Sequence, residues 1–319
     1  MRLAFLGTSD FAVPTLDSLC DAGHEVALVL CQPDRPAGRG RQLQPGPAKR
    51  LALSKGLPIF QPQVLDDAAL ERLSRLEMRA AVVVSYGLIL PAALLRLPPL
   101  GCINLHGSLL PKYRGASPVA HAILRGETVT GVTTLLMNEG IDTGPLLLQK
   151  ATPIGEEESA GELEARLAVT GAGLVLETLE KLSAGELTPR SQIVDRQTYA
   201  PKIAVSSGRI LWSLPAAGIA RQVRAYNPRP GAFTRHRGRI LKIWRARTAP
   251  PSGGVEPGIV IAGGGTLQVA CGESSVLELL EVQLEGRRRV SGEELLRGRL
   301  IASGDRFDDG EAWQDEGPA

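Results

Sequence analysis

The chain has 319 residues, of which 43% are hydrophobic and 22% are charged, and its formal net charge is +2. This balance excludes an intrinsically disordered chain, and the length suits about two domains of ~100–200 residues each. The N-terminus lacks the apolar core of a signal peptide, and no apolar run approaches the ~20 residues of a membrane span, so we expect a cytoplasmic protein without membrane contact.

Apolar strands alternate with helical segments in the first half of the chain. Strands are predicted at residues 3–6, 26–30, 80–84, 102–105 and 130–137. Asp10 is a suitable N-cap for a first helix, and Ser159 and Glu162 have the spacing of a capping box for a helix that ends near Gly185. The alternation predicts an α/β domain with an open, mostly parallel, doubly wound sheet, as in Rossmann-like folds. The glycine spacing of a dinucleotide site does not follow Gly7, so nicotinamide binding is not expected.

The second half of the chain has a different pattern. Polar residues with prolines predict a linker, and a short amphipathic helix at 216–225 follows it. Glycine and proline then separate short β-type runs at 231–234, 239–245, 258–261, 266–270 and 276–283, which predicts a small β-barrel resembling an OB-fold. We therefore expect an N-terminal domain at 1–189, a linker at 190–208 and a C-terminal domain at 209–319, with an acidic, frayed tail after Arg306.

Cationic residues are concentrated in two stretches that contain no acid. One covers residues 35–65, and the other lies between Asp195 and Glu256. The cations are Arg35, Arg39, Arg41, Lys49, Arg50 and Lys55 in the first stretch, and Arg196, Lys202, Arg209, Arg221, Arg224, Arg229, Arg235, Arg237, Arg239, Lys242, Arg245 and Arg247 in the second. Such segregation predicts a polyanionic partner, although a solvated basic face explains the pattern equally well.

Three polar residues are expected to converge at one end of the sheet. Alternation along the strand at 102–105 puts Asn104 and His106 on the same side, at the carboxyl end where open α/β sheets bind ligands. Asp142, between Gly140 and Gly144, follows the strand that ends at 137 and reaches the same edge. Histidine beside a carboxylate is a general acid–base arrangement, and a side-chain amide stabilises an oxyanion. For His106 alone, a purely structural histidine is the alternative.

The cysteines give no sign of a metal centre. Cys20, Cys31, Cys102 and Cys271 are scattered and form no C-x-x-C pair. Without a tight cluster of cysteine and histidine we expect reduced thiols and no metal site.

Several motifs resemble the formyltransferases that use formyl-tetrahydrofolate. One is the Asn-x-His-x-Ser-Leu-Leu-Pro-x-x-Arg-Gly stretch that begins at Asn104, and another is Gly-Ile-Asp-Thr-Gly at 140–144. Further similarity at 7–12, 32–40, 86–91, 199–203 and 225–228 extends over most of the chain and is greatest to the bacterial members that act on methionyl-tRNA. The His/Ser-Leu-Leu-Pro element indicates the chemistry, whereas the arginine-rich loop and the C-terminal half indicate the acceptor.

This resemblance implies an enzyme that formylates the α-amino group of initiator methionyl-tRNA, with 10-formyltetrahydrofolate as the donor, and a monomeric state. It implies that Asn104, His106 and Asp142 are catalytic. It assigns folate binding to Tyr86, Gly87, Leu88, Ile89, Leu90, Ser108, Leu109, Leu110 and Pro111. It assigns tRNA contacts to Arg35, Arg39, Arg41 and Lys202, and tRNA binding to the C-terminal domain.

The sequence leaves several alternatives open. The proton of the attacking amine goes to His106, or through water to Asp142, and the sequence does not rank these routes. A related enzyme that formylates a sugar-nucleotide amine or hydrolyses the formyl group stays possible, as does a non-catalytic RNA-binding protein. Residues 204–207 and Leu211 depart from the acidic and lysine residues usual in the family, which leaves their contacts open.

Overall fold

The computed structural model describes residues 1–37, 42–251, 253–263 and 265–308. It divides into two compact units. The first comprises residues 1–118, 129–153 and 163–201, and the second comprises 119–128, 154–162 and the chain from Lys202 onward. The expected boundaries at 189 and 208 stay a prediction. No helix in the described ranges is long and apolar enough to cross a membrane.

The strands of the first unit form a seven-stranded sheet and a separate hairpin. They are β1 (Arg2–Gly7), β2 (Glu25–Leu30), β3 (Arg35–Ala37), β4 (Gln42–Gln44), β5 (Ile59–Phe60), β6 (Ala80–Val84), β7 (Cys102–His106), β8 (Val129–Leu136) and β9 (Leu146–Pro153). The sheet has the order β5-β2-β1-β6-β7-β8-β9, and β3 pairs with β4. The pairings from β5 to β7 are parallel, and those of β7 with β8 and β8 with β9 are antiparallel. The predicted mostly parallel sheet is therefore confirmed.

Helices connect these strands. They are α1 (Val13–Asp21), α2 (Pro47–Ser54), α3 (Asp67–Ser74), α4 (Ala92–Arg96), α5 (Pro118–Leu124) and α6 (Ala160–Ala184). The capping box before α6 is confirmed, because the Ser159 amide donates to Glu162 Oε2 at 2.9 Å and the Glu162 amide donates to Ser159 Oγ at 3.4 Å. The prediction that Asp10 caps α1 is wrong. Asp10 begins a 3₁₀ turn, and Ala12 occupies the N-cap of α1 without a side-chain bond.

The strand order reverses beside β1, because the chain runs outward through β2 and β5 and then returns to place β6 on the other side of β1. All five residues of β6 are buried, the pattern of a parallel strand covered on both faces. Open α/β sheets bind ligands at the carboxyl ends of strands beside such a reversal. The loops after β1, β6 and β7 therefore form the edge where a ligand site is expected.

The described residues of the second unit include most of α5, a curled antiparallel sheet and two further helices. Its further elements are α7 (Ala216–Ala225), β10 (Ala232–His236), β11 (Arg239–Ala249), β12 (Val260–Gly263), β13 (Thr266–Ala270), β14 (Val276–Leu284), β15 (Val290–Ser291) and α8 (Gly292–Arg297). The sheet order is β10-β11-β14-β13-β12, and β15 pairs with β14. Trp212 is fully buried in the core of this unit. The predicted β-domain is confirmed.

The last described residues close this sheet. The Val260 amide donates to the Asp305 carbonyl oxygen at 2.8 Å, and the Asp308 amide donates to the Arg235 carbonyl oxygen of β10 at 3.0 Å. Phe307 is 1% exposed, and its ring centroid lies 5.6 Å from that of Trp212. The prediction of a frayed tail is therefore wrong for Phe307 and Asp308, because an aromatic anchor follows Arg306. The rest of that tail lies outside the described residues.

Candidate functional site

Three polar side chains from two segments meet at the carboxyl end of β7. Asn104 and His106 belong to β7, and Asp142 lies in the turn between β8 and β9. The Nδ2 atom of Asn104 donates to Oδ1 of Asp142 at 3.2 Å. The Nδ1 atom of His106 lies 3.5 Å from Oδ2 of the same carboxylate. The carboxylate of Asp142 is thus within direct reach of both the amide and the imidazole.

His106 is held in one orientation by the backbone. The residue is 6% exposed, and its Nε2 atom lies 2.8 Å from the carbonyl oxygen of Tyr113. Because a carbonyl oxygen accepts but never donates, Nε2 carries the hydrogen of this bond. The nitrogen left for proton exchange is Nδ1, which faces Asp142. This geometry suits a general acid–base role.

The turn that carries Asp142 has a constrained backbone. Asp142 has a φ of 52°, in the left-handed region that aspartate tolerates better than most residues. A Cβ atom at Gly144 would lie 1.7 Å from the carbonyl oxygen of Leu136, so this position requires glycine. Oδ2 of Asp142 also accepts the Gly115 amide hydrogen at 2.8 Å. Backbone shape and hydrogen bonds together fix the carboxylate beside His106.

The segment expected to be a linker packs beside this turn. The buried Arg114 guanidinium donates to the side-chain oxygens of Gln192 and Gln197. The Arg114 amide donates to the Thr198 carbonyl oxygen at 2.9 Å, and the Ala200 amide donates to the Arg114 carbonyl oxygen at 2.7 Å. The sequence did not predict that Gln192 and its neighbours pack beside this turn. Polar residues without a hydrophobic period do not distinguish an exposed linker from a packed segment.

Two residues of the Ser-Leu-Leu-Pro motif are buried, and their polar groups form hydrogen bonds within the protein. Ser108 is fully buried, and its hydroxyl donates to the Lys112 carbonyl oxygen at 2.6 Å. Leu110 is 3% exposed, and its amide donates to Thr133 Oγ1 at 3.2 Å. Its carbonyl oxygen accepts from Gln149 Nε2 at 2.9 Å. Ser108 and Leu110 therefore shape the loop from within.

Other residues expected at the folate site reach the surface. The exposed or partly exposed ones are Gly87, Leu88, Ile89, Leu109 and Pro111. Ile89, in the loop after β6, is 82% exposed. Tyr86 and Leu90 are instead buried in the apolar core, and burial raises the pKa of Tyr86 to about 12.

Thr8 ties together the loops at this edge. Its hydroxyl donates to the Tyr86 carbonyl oxygen at 3.2 Å and accepts from the Gln32 amide at 3.1 Å. The loops after β1, β2 and β6 are thereby joined through one side chain. The loops at this edge of the sheet, where Asn104, His106 and Asp142 also cluster, are therefore joined to one another by hydrogen bonds.

The residues expected to contact tRNA are distributed over both units. Arg35 is exposed and begins β3, and Lys202 is exposed in the second unit. Arg39 and Arg41 lie outside the described residues.

A charged network holds the base of the β3–β4 hairpin. Lys49 Nζ donates to Asp34 Oδ2 at 2.6 Å, and Gln61 Nε2 donates to Asp34 Oδ1 at 2.8 Å. The hydrogen bond from Lys49, followed by that from Gln61, lowers the pKa of Asp34 below its usual value. These hydrogen bonds therefore hold Asp34, the residue directly before Arg35, in place.

Carboxylates from elsewhere in the second unit form ion pairs with some cations of the acid-free stretch between Asp195 and Glu256. The ion pairs are Arg237 with Asp305 at 3.0 Å, Arg245 with Glu162 at 2.6 Å and Arg247 with Glu278 at 2.9 Å. A stretch of sequence without acids can thus still have some of its cations paired with carboxylates in the folded protein. At least three cations of this stretch are therefore paired with carboxylates.

Within the described residues, no group of three or more histidine, cysteine, aspartate or glutamate side chains is placed to hold a metal ion. The four cysteines are free. Burial raises the pKa of Cys31 to about 11 and those of Cys102 and Cys271 to about 12, which keeps these thiols protonated at neutral pH.

Comparison with known proteins agrees with this fold. Residues 1–179 match the formyl transferase family, and residues 202–300 match the formyl transferase C-terminal domain. The chain belongs to the formyl transferase family. Among its relatives is the methionyl-tRNA formyltransferase of Solibacter usitatus (strain Ellin6076), 47% identical over 311 residues, which are 97% of this chain and 99% of the relative.

Solved structures share the fold at lower identity. An N-formyltransferase from Helicobacter canadensis, in complex with folinic acid and dTDP-3-aminofucose, has a TM-score of 0.67 and 18% identity over 88% of this chain and 98% of that one. HypX from Aquifex aeolicus, in complex with tetrahydrofolic acid, has a TM-score of 0.64 and 17% identity over 96% of this chain. The chain spans 48% of the length of HypX. At these identities the likeness shows the fold alone.

Proposed function

We propose that this protein transfers the formyl group of 10-formyltetrahydrofolate to the α-amino group of methionine on initiator methionyl-tRNA. The observation that carries the proposal is the convergence of Asn104, His106 and Asp142 at the ligand-binding edge of the sheet. The full-length relationship to a methionyl-tRNA formyltransferase supports the choice of acceptor. We further propose a cytoplasmic protein that acts as a monomer; one chain supplies all three side chains of the cluster, so the cluster needs no second subunit.

The geometry supports a specific division of labour. The unprotonated amine attacks the formyl carbon, a C–N bond forms and the formyl oxygen becomes an oxyanion. Asn104 Nδ2 carries two hydrogens and donates one to Asp142, so the second serves the oxyanion.

The same geometry indicates which groups receive the proton that the attacking amine releases. Nε2 of His106 is committed to the Tyr113 carbonyl oxygen, so the proton from the amine is shared by His106 Nδ1 and Asp142. Collapse of the intermediate breaks the bond from the formyl carbon to folate N10. The proton passes to that nitrogen, and tetrahydrofolate leaves.

The two substrates would use different parts of the surface. Folate would contact the exposed apolar residues Ile89 and Leu109 beside the catalytic cluster, and the folate-bound neighbours of the same fold support this ligand class. Phosphates of the tRNA would meet Arg35, Arg39, Arg41 and Lys202, because backbone phosphates dominate affinity for nucleic acid.

Formyl transfer to methionine-charged initiator tRNA tests the proposal, with uncharged initiator tRNA and charged elongator tRNA as controls. We expect one formylmethionyl-tRNA for each tetrahydrofolate released, and no product with uncharged tRNA. Release of free formate would instead indicate a formyl hydrolase. Transfer to a sugar-nucleotide amine without transfer to tRNA would indicate a small acceptor, and tRNA binding without turnover would indicate a binding protein.

A further inference from the structure

We propose that Arg114 and Gln192 form a positioning pair that holds the Asp142 turn in its reactive geometry. This inference rests on the proposed function. Neither side chain contacts the carboxylate of Asp142 in the described structure; both act through other groups. They are positioning residues for the reaction.

Gln192 holds the backbone at Asp142 and two residues after it. Its Nε2 atom donates to the carbonyl oxygens of Asp142 and Gly144, each at 2.8 Å. A side-chain amide nitrogen has two hydrogens, so both are used on this one turn. The turn includes the left-handed φ of 52° at Asp142, a conformation that persists when surrounding contacts hold it. Gln192 supplies two of those contacts.

Arg114 sets the orientation of Gln192. Its guanidinium donates to Gln192 Oε1 from Nη2 at 2.7 Å and from Nε at 3.2 Å. A half-turn of the amide would place the Gln192 hydrogens against the guanidinium and its oxygen against two carbonyl oxygens. The cation therefore selects the one amide orientation that binds the turn.

The backbone after Arg114 reaches the same aspartate from the other side. The Gly115 amide donates to Oδ2 of Asp142 at 2.8 Å. The Arg114–Gly115 dipeptide thus binds the Asp142 carboxylate directly through the Gly115 amide. It positions the Asp142 backbone indirectly, because the Arg114 side chain orients Gln192. Displacement of either contact would move the carboxylate relative to His106 Nδ1, which lies 3.5 Å away.

Burial of Arg114 also favours a positional role. The residue is 4% exposed, and the side-chain partners described for its guanidinium are the neutral amide oxygens of Gln192 and Gln197. A buried charge with neutral partners contributes little to stability compared with apolar packing of the same volume. Its value lies in the fixed, forked geometry of the guanidinium.

The second unit offers a matched control at Gln222. The Nε2 atom of Gln222 also donates to two carbonyl oxygens, those of Ser207 at 2.9 Å and Arg209 at 2.8 Å. Gln192→Met and Gln222→Met therefore remove the same number of donor bonds from a side chain of similar volume. Gln192→Glu keeps the acceptor for Arg114 but removes the donors to the turn.

The experiment measures kcat, KM for 10-formyltetrahydrofolate, and Tm for each variant, at saturating methionyl-tRNA. We expect Gln192→Met and Gln192→Glu to lower kcat at least tenfold while KM for the donor stays within twofold. Gln222→Met should keep the wild-type kcat. Its loss of Tm should be smaller than that of Gln192→Met, which also removes the acceptor of two hydrogen bonds from the buried Arg114 guanidinium.

Equal kcat values in the Gln192 and Gln222 variants would contradict the positioning role while leaving the proposed function intact. Failure of both Gln192 variants to fold, with Gln222→Met folded, would contradict it as well. If the wild-type protein forms no formylmethionyl-tRNA, the proposed function itself has failed.

Discussion

The Nδ1 atom of His106 faces Oδ2 of Asp142 at 3.5 Å, while its Nε2 atom is bound to a backbone carbonyl oxygen. The imidazole therefore has one nitrogen for proton exchange, and that nitrogen lies beside a carboxylate. The position of each group relative to the other therefore matters for proton transfer.

Asn104 should contribute through its amide hydrogens. Asn104→Ala and Asn104→Asp both remove the donor to the oxyanion, so we expect kcat to fall by about 10²–10³-fold, as for other oxyanion donors. The Kd for the folate donor should change less than twofold, because the neighbouring loops supply that binding. Steady-state kinetics and equilibrium binding of folate measure the two effects. A folded Asn104→Ala protein with the wild-type kcat would rule out the oxyanion role.

The turn of Asp142 should not tolerate a side chain at Gly144. A Cβ atom there would lie 1.7 Å from the Leu136 carbonyl oxygen, so Gly144→Ala should lower stability by about 1–3 kcal/mol. Gly173 in α6 is the control, since a Cβ atom at that position meets nothing within 4 Å. Gly173→Ala should stabilise the helix by about 0.5–1 kcal/mol. Calorimetric Tm values compare the two, and equal shifts would contradict the close approach at Gly144.

The contact between Asp34 and Lys49 should make stability depend on acidic pH. The pKa of Asp34 is lowered in the folded protein, so its stabilising effect is complete above its unfolded pKa of ~3.9 and is lost as the pH falls through the folded value. Lys49→Met removes the main cause of this shift. The difference in Tm between wild type and Lys49→Met should therefore be largest above about pH 5 and shrink toward pH 2. A difference that stays constant over this range would exclude the linkage.

Binding of tRNA should weaken with salt if phosphates meet the cations. Arg35→Ala and Lys202→Ala should each reduce the slope of log K against log salt concentration by about one. Arg75, whose exposed side chain pairs with Glu71, provides the control for loss of one charge. Filter binding between 50 and 200 mM salt gives the slopes. Slopes that are flat, or equal in all variants, would refute the phosphate contacts.

Local patterns in the sequence were sufficient for several elements. The five apolar residues of β6 and the Ser159 and Glu162 capping box follow from burial and from hydrogen-bond spacing, both of which act over a few residues. The approach of Asp142 to His106 does not follow from strand direction. β8 is antiparallel to β7, so β8 ends beside Ile103 near the start of β7, and the turn after it must fold back to bring Asp142 to His106.

Long-range contacts explain what the sequence did not reveal. Gln192 lies 50 residues from Asp142 in sequence, and no periodic pattern links them. Phe307 follows an arginine and precedes acidic residues, yet it packs against Trp212, so its burial depends on a tertiary partner. Glu162 opposes Arg245 across 83 residues, which a survey of charge along the chain does not detect. Each of these contacts arises from the arrangement of the chain in space.

The most direct test of the account is a single-turnover measurement of formyl transfer to methionyl-tRNA by the Asp142→Asn protein. Asp66→Asn is the matched control, because Asp66 accepts a bond of 3.0 Å from the Ala69 amide that an asparagine oxygen also accepts. We expect Asp142→Asn to slow transfer by about 10²–10⁴-fold with donor binding retained, and Asp66→Asn to match wild type. Wild-type transfer by Asp142→Asn would contradict a mechanism in which His106 and Asp142 share the proton.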